Sequence, residues 1–325
     1  MRVLMLGATG TIGRATTHAL LRAGHEVVCF LRASGKGGNV DKYALAQDFA
    51  GALLRWGDVC DSTSLQRDGF CNERFDAVVS CLASRSGAPA DAWAIDHGAH
   101  MAVLDAAQAA GVRQMVLLSA ICVQKPQLEF QRAKLAFETA LMQSKLTWSI
   151  VRPTAFFKSL SGQVDRVRAG KPFLVFGDGR LTACKPIGDE DLAQYIADCL
   201  IDVQRHDRVL PIGGPGPAIT PLEQGQLLFD VSGRAPRFRH VPPALLDAVI
   251  ALLTVLGVLW PALRNKAELA RIGRYYARES MLVLDTDGRY SADATPSTGT
   301  RTLADHYADM LAGRVQVHRG DHAVF

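Results

Sequence analysis

The chain has 325 residues, 48% of them hydrophobic, enough for one large α/β domain with its own buried core and a smaller lobe. Its 36 basic and 32 acidic residues leave a net charge of +4, scattered along the chain with no Lys/Arg run interleaved with aromatics, which argues against nucleic acid as a partner. The seven cysteines are widely separated, contain no C-x-x-C pair and suit free thiols in a reducing compartment; the close pair His97 and His100 lacks further ligands nearby, so no metal site is expected.

A strand pattern opens the chain at residues 2–6, with no signal or transit segment before it, which points to the cytoplasm. It leads into Gly7-Ala8-Thr9-Gly10-Thr11-Ile12-Gly13 and a helical pattern over 14–23 that Gly24 ends. Strand, glycine turn and helix form the context that a dinucleotide fingerprint needs. Gly7 permits the tight turn, Gly10 lets the backbone approach a pyrophosphate, and Gly13 lets the helix pack on the sheet. With Thr9, Thr11 and Ile12, the helix N-terminus presents free N–H groups to the phosphates. The next strand, 26–31, ends at Arg32 without the acidic residue that would hold an unphosphorylated ribose. Arg32, with Lys36 nearby, can meet a 2′-phosphate, which favours NADPH over NADH; a solvated strand end is the alternative reading of Arg32.

Further strand patterns at 53–56, 77–82 and 115–119 alternate with helical stretches such as 99–110 and 133–143. This alternation predicts an α/β fold, a Rossmann-type doubly wound parallel sheet with a smaller C-terminal substrate lobe. Ligands of such sheets bind at the carboxyl ends of the strands. Asp58 then falls near the adenine end or caps a helix. Cys81, Leu82 and Ala83, within 80–84, fall near the middle of the cofactor, and Ser119 beside the nicotinamide. A strand from 148 runs into a loop by 157, and Pro153, counted with the cofactor residues, marks the crossing into the second lobe. The nucleotide domain is therefore expected over 1–155, rejoined by about 183–213 through a helix at 189–201. Residues 156–325 are mainly the substrate lobe, with Gly/Pro loops at 176–179 and 211–217.

Residues 241–261 are apolar on nearly every side, unlike an ordinary amphipathic surface helix. The run is shorter than the roughly 20 apolar residues of a membrane span, carries Asp247 and is bounded by prolines. A buried helix lining an apolar pocket and a helix in contact with a membrane surface both fit, and both suit a flat, apolar substrate.

Leu117-Leu118-Ser119-Ala120-Ile121-Cys122, followed by Phe130-Gln131-Arg132-Ala133-Lys134, resembles the catalytic stretch of short-chain dehydrogenases, with Ser119 and Lys134 kept and Phe130 where the tyrosine stands. The missing phenol protonates an alkoxide when a carbonyl is reduced, so its loss disfavours alcohol/ketone chemistry while a place for a nicotinamide remains. Over nearly its whole length the chain resembles the NADPH-dependent 3,8-divinyl (proto)chlorophyllide 8-vinyl reductases, atypical short-chain dehydrogenases of chlorophyll and bacteriochlorophyll synthesis in photosynthesis. The matching stretches are 80–85, 118–138, 151–160, 176–179, 183–187, 210–216, 220–225, 271–276 and 320–325. The most particular are Ile121-Cys122-Val123-Gln124-Lys125-Pro126 and Cys184-Lys185-Pro186, whereas the glycine motif is common to many families. Plant-type members begin with a plastid-targeting extension, so its absence points to a bacterial member, cytoplasmic or peripheral to the photosynthetic membrane.

The resemblance implies reduction of the 8-vinyl group of a divinyl chlorophyllide or protochlorophyllide to ethyl. A conjugated macrocycle accepts the charge that a hydride brings, no alkoxide forms, and Phe130 offers an aromatic surface to the ring. Lys134 would hold the nicotinamide ribose and place positive charge near the reacting centre, with pairing to Glu138 as its structural alternative. Ser119 would bond the cofactor or close a strand end. Glu129, Cys122, Tyr275 and an ordered water stand as unranked proton donors. Cys122, Phe130, Phe156, Phe157 and Cys184 are candidates for the substrate wall, and Lys158 and Lys185 for a propionate carboxylate. The implied partner is the tetrapyrrole, with peripheral membrane contact open and no obligate protein partner. An isoflavone-reductase-like or quinone double-bond reductase, a non-catalytic NADP-sensing regulator and a membrane-peripheral scaffold are the rival readings.

Overall fold

The computed structural model describes residues 1–32, 41–260 and 262–315; Lys36, Pro261 and the 320–325 stretch lie outside them. The first nine strands in chain order are β1 (Arg2–Leu6), β2 (Glu26–Arg32), β3 (Leu53–Gly57), β4 (Ala77–Ser80), β5 (Gln114–Leu118), β6 (Thr147–Pro153), β7 (Phe173–Phe176), β8 (Arg208–Ile212) and β9 (Phe238–Val241). Seven of them form one sheet in the order β3-β2-β1-β4-β5-β6-β8, with every pairing parallel.

The strands read as continuous apolar runs because both faces of the sheet are covered. In β1, Val3 and Met5 enter the core on one face, and Leu4 and Leu6 the core on the other. In β2, Val27, Cys29 and Leu31 alternate in the same way with Val28 and Phe30. The strand order reverses between β1 and β4, and the loops that follow these two strands meet in the crevice where such folds take their ligands.

The Asp189–Asp198 helix buries Leu192, Ala193, Ile196 and Ala197 and packs along the Thr11–Arg22 helix. The chain then returns to the sheet as β8, beside β6. Pro153 closes β6 opposite Ile212 of β8, so the chain leaves the sheet after that proline. The Glu129–Met142 helix starts earlier than its apolar pattern suggests, because the Gln131 side chain reaches back to accept the Leu128 N–H at 2.9 Å.

Away from the sheet, β7 and β9 pair in parallel. With the helices Pro221–Ser232 and Leu303–Leu311 they enclose a second core of Phe157, Val164, Phe173, Leu228, Phe229 and Tyr307. The apolar run forms the Ala244–Leu259 helix, which doubles back as Ala262–Arg278. Burial of that first helix is not what the structure shows. Within it only Gly257 is buried, while Leu252, Val255 and Val258 are 59%, 69% and 72% exposed. Leu246, Ile250 and Leu253 are half-buried, so the helix covers one face and leaves the other open. Among the described residues no helix is long and apolar enough to cross a membrane.

Candidate cofactor site and active site

The glycine loop is shaped by contacts that no side chain could survive. Gly7 adopts φ +75°, and a Cβ there would sit 2.6 Å from the carbonyl carbon of Cys81 and 2.7 Å from the amide nitrogen of Leu82. A Cβ on Gly13 would fall 2.0 Å from the Gly7 carbonyl oxygen. Gly10 is the N-cap of the Thr11–Arg22 helix, which no side chain caps and whose first turn holds no acidic residue. Its dipole and amide groups face the crevice with the exposed Thr9 and Thr11 at the rim and Ile12 buried behind them. Lys158 Nζ donates to Thr11 Oγ1 at 2.9 Å and so adds a cation at this helix end rather than at a substrate carboxylate. Arg32 is exposed at the carboxyl end of β2, on the neighbouring strand. A loop that excludes a Cβ at Gly7 and Gly13, an uncapped helix N-terminus and two cations fit a dinucleotide's phosphates.

Asp58 does not cap a helix. Its carboxylate accepts the Cys60 N–H at 2.9 Å, a local turn after β3, and the neighbouring Asp61 caps the next helix through Thr63 N–H. Asp58 and Arg32 both lie close enough to the Cys60 thiol to influence it, which puts them at the same corner of the sheet. Leu82 N–H donates to Ser80 Oγ at 3.3 Å, and Ser84 N–H to Asp96 Oδ1 at 3.3 Å, so the β4 loop is tied to the centre of the crevice while Ala83 stays exposed.

That centre is built on a buried carboxylate. Lys134 Nζ donates to Asp96 Oδ1 at 2.9 Å, with the Asp96 side chain fully buried and that of Lys134 13% exposed. Asp96 comes from a π-helical segment, Trp93–Ala99, which runs into the His100–Ala109 helix. Burial opposes its ionisation, yet the Lys134 charge, the Ser84 and Lys134 hydrogen bonds and His100 together hold its carboxyl below the usual range. Asp96 Oδ2 has no hydrogen-bond partner. His100 accepts or donates at both ring nitrogens, 2.8 Å from Ser80 Oγ and 3.0 Å from the Ile95 carbonyl oxygen. Burial, and then the Lys134 charge, push its pKa down to about 4, so the ring is neutral at neutral pH. Asp96, His100, Leu117, Leu118, Ser119, Lys134 and Phe137 line one crevice, too tight for a water molecule.

Ser119 and Lys134 therefore meet, but not as partners of one another or of the expected groups. Ser119 Oγ donates to Glu138, which is fully buried and paired with Arg152. With Glu138 so engaged, Lys134 pairs with Asp96. The sequence reading missed Asp96 as the partner of Lys134, and the Glu138–Arg152 pair as the partner of Ser119. The available signal was a set of charged residues at positions whose neighbours are apolar and buried.

Around the crevice, Phe130, Cys122 and Cys184 share an apolar cluster with Ile121, Leu128, Ile272, Tyr275 and Met281. The Ile121–Gln124 turn is tied to the C-terminal part of the chain. Tyr275 donates to the Cys122 carbonyl at 2.9 Å, and Gln124 Oε1 accepts the Leu284 N–H at 3.0 Å. Of the suggested proton donors, Tyr275 is committed to that carbonyl and its pKa is raised by burial. Burial also raises the Cys122 thiol. Glu129 is held ionised by the Trp93 N–H and by Arg132.

The expected wall residues Phe156 and Phe157 belong to cores instead. Phe156 packs against the sheet core, and Phe157 is 2% exposed in the second core, stacked on His306. Lys185 is likewise spoken for, donating to the Thr295 carbonyl at 2.8 Å and to Ser297 Oγ at 3.2 Å. A cavity of about 220 Å³ lined by Gln127, Leu128, Arg271, Arg274, Tyr275, Arg278 and Glu279 borders the apolar cluster and supplies cations that the sequence reading did not single out. All seven cysteines are unpaired, and among the described residues no group of His, Cys, Asp or Glu could hold a metal ion.

A family model for NAD(P)H-binding proteins matches residues 7–202. The chain is 48% identical over 331 aligned residues to a protein of Oryza sativa subsp. indica named divinyl chlorophyllide a 8-vinyl-reductase, chloroplastic, covering 99% of this chain and 82% of that one. It is 49% identical, with the same coverage, to the protein of that name from Zea mays. Among solved structures, the NADPH-dependent quinone oxidoreductase QOR2 of Escherichia coli, complexed with NADPH, superposes with a TM-score of 0.67 at 19% identity, over 96% of this chain and 100% of that one, which is a likeness of fold. This chain is therefore a member of the NAD(P)H-binding proteins and, within them, of the divinyl chlorophyllide a 8-vinyl-reductase family.

Proposed function

We propose that the protein is an NADPH-dependent oxidoreductase that reduces the 8-vinyl group of a divinyl chlorophyllide or protochlorophyllide to ethyl in (bacterio)chlorophyll synthesis. The observation that carries this reading is the combination at the crevice: Lys134 held on buried Asp96, with Phe130 of the apolar cluster where a carbonyl reductase has its acid. When bound, NADPH supplies the hydride.

The chain's own residues do the rest. The Gly7–Gly13 loop, the amides of the Thr11–Arg22 helix and Lys158 bind the pyrophosphate, and Arg32 the 2′-phosphate. Asp58 lies at the adenine end, and Cys81, Leu82, Ala83 and Pro153 line the middle. Ser119 acts through Glu138, and Lys134 orients the nicotinamide ribose. Its fixed positive charge faces the site where the substrate becomes electron-rich, an arrangement that needs no reorganisation during reaction. Phe130, Cys122 and Cys184 receive the apolar face of the macrocycle, and the Arg271, Arg274 and Arg278 cavity suits its carboxylate. Residues beyond the sheet thus form most of the substrate side, and the seven free thiols suit a reducing cytoplasm, with the enzyme peripheral to the membrane that carries its pigment.

Purified protein mixed with NADPH and divinyl chlorophyllide tests the reading. The expected result is a blue shift of the Soret band, with one NADPH consumed per monovinyl product. A protein that binds NADPH but leaves the vinyl group unreduced would overturn it.

A further inference from the structure

Eight of the sixteen large hydrophobic side chains exposed among the described residues fall between Leu245 and Tyr276. Leu245, Val249, Leu252, Val255 and Leu259 form a stripe along the outer face of the Ala244–Leu259 helix, and Trp260, 57% exposed, stands at its end. A continuous apolar stripe of this extent is costly in water and marks an interaction surface. Its polar side chains are paired within the hairpin: Asp247 with Arg274 and Arg278, and Thr254 with the Ile250 carbonyl and Arg271. The open face therefore offers a partner almost no hydrogen-bonding group, whereas protein interfaces carry a polar rim.

The hairpin and the segment that leads into it are one-sided in charge. Residues 234–278 contain eight Arg and Lys against Asp247 and Glu268, a net +6, while the whole chain carries +4. The remainder is therefore net negative by 2, and two copies meeting face to face would bring like charges together. Arg264 and Lys266 are exposed beside Trp260 at the hairpin end, the pairing of aromatic and cationic anchors found at a bilayer's headgroup level. At 1.5 Å per residue the 16-residue helix is about 24 Å long, short of the ~30 Å hydrocarbon core, and so suited to lie in the interface.

We infer that this hairpin docks the protein on an anionic lipid bilayer, with the outer face of the Ala244–Leu259 helix inserted among the acyl chains and Arg264 and Lys266 on the lipid phosphates. The second helix of the hairpin also carries Ile272 and Tyr275 into the cluster with Cys122 and Phe130, so the inserted face and the proposed pigment site are built on the two helices of one hairpin. This deepens the peripheral placement proposed above. Its test is scored by binding rather than turnover, so the failure of either reading leaves the other standing.

The full chain is floated with vesicles of phosphatidylcholine and phosphatidylglycerol and with vesicles of phosphatidylcholine alone. Flotation with the anionic vesicles, weaker flotation with the neutral ones, a decline with added salt and a blue shift of tryptophan emission are expected. The double variant Leu252→Ser, Val255→Ser should lower vesicle affinity by about tenfold or more, with NADPH binding and turnover of detergent-dissolved pigment unchanged. As a second variant, Lys266→Glu should weaken binding to anionic vesicles only. Wild-type protein that stays with the solution, a double variant that floats like the wild type, or a concentration-dependent dimer abolished by that variant would overturn the inference.

Discussion

His100 offers the sharpest test of the buried network, because its protonation is opposed by burial and by the Lys134 charge. The ring is 1% exposed, and burial, followed by the Lys134 charge, lowers its pKa from 6.5 to about 4. A depressed folded-state value means that the unfolded chain takes up the proton first as the pH falls. The stability that the neutral ring confers is therefore complete above about 6.5 and is lost as the pH drops toward about 4. At about 1.4 kcal/mol per pH unit the whole difference is about 3 kcal/mol, of which about 2 kcal/mol is gone by about pH 5. The Asp96 carboxyl is also depressed, so its contribution holds above its ordinary 3.8 and fades only below that, outside the window. Urea denaturation at about pH 8 and about pH 5 isolates the effect when wild type is compared with His100→Gln, whose amide can serve Ser80 and the Ile95 carbonyl without titrating. His18, His25 and His306 are lowered too, but they titrate alike in both proteins and cancel in the difference. The variant should lose about 2 kcal/mol less than wild type between the two conditions. Equal losses would refute the placement of a neutral imidazole beneath Lys134.

Gly13→Ala puts a methyl 2.0 Å from the Gly7 carbonyl oxygen and should weaken NADPH binding by about 100-fold or more, read by calorimetry beside a circular-dichroism check of folding. Arg32→Ala should raise the Kd for NADPH about tenfold and leave that for NADH unchanged; parallel changes for both cofactors would remove Arg32 from the 2′-phosphate. Lys134→Ala should cut kcat by about 100-fold with little change in pigment affinity, and equal turnover would end its catalytic assignment. Phe130→Tyr restores the phenol, yet turnover of the vinyl substrate should stay within about threefold, because that reaction forms no alkoxide to protonate. A large gain in that variant would show that an acid at position 130 matters after all.

How much of this was legible in the sequence follows from what each feature depends on. The central strands β1, β2 and β4 could be read because a sheet covered on both faces demands unbroken apolar runs, as Val3 to Leu6 and Val27 to Leu31 show. The glycine loop could be read because its stereochemistry leaves no other residue at Gly7 or Gly13. Partner choice was hidden. Lys134 lies four residues from Glu138 in sequence, yet pairs with Asp96, 38 residues away, with Glu138 engaged by Ser119 just past β5 and by Arg152 of β6. Lys158 and Phe157 are adjacent, but the helix they share sends one to Thr11 and the other into the second core. The apolar run at 241–261 reads by composition alone as either a buried helix or one lying on a membrane surface, and only the placement of its neighbours shows that one face is left open.

The crevice also explains how a chain that resembles the short-chain dehydrogenases can lack their tyrosine and keep a purpose. In a carbonyl reductase the phenol and the lysine act together, and losing one would leave the other idle. Here the lysine is held by Asp96 rather than by its helix neighbour, so its position does not depend on what stands at 130. The same carboxylate binds the β4 loop through Ser84 and neighbours the neutral His100, so one buried charge holds that loop and Lys134 in register. Breaking such a pair by removing one partner costs about 3–5 kcal/mol, enough to fix Lys134 against thermal wandering. Position 130 is thereby free to become apolar, and a substrate whose own π-system takes up charge is the kind that such a site can serve.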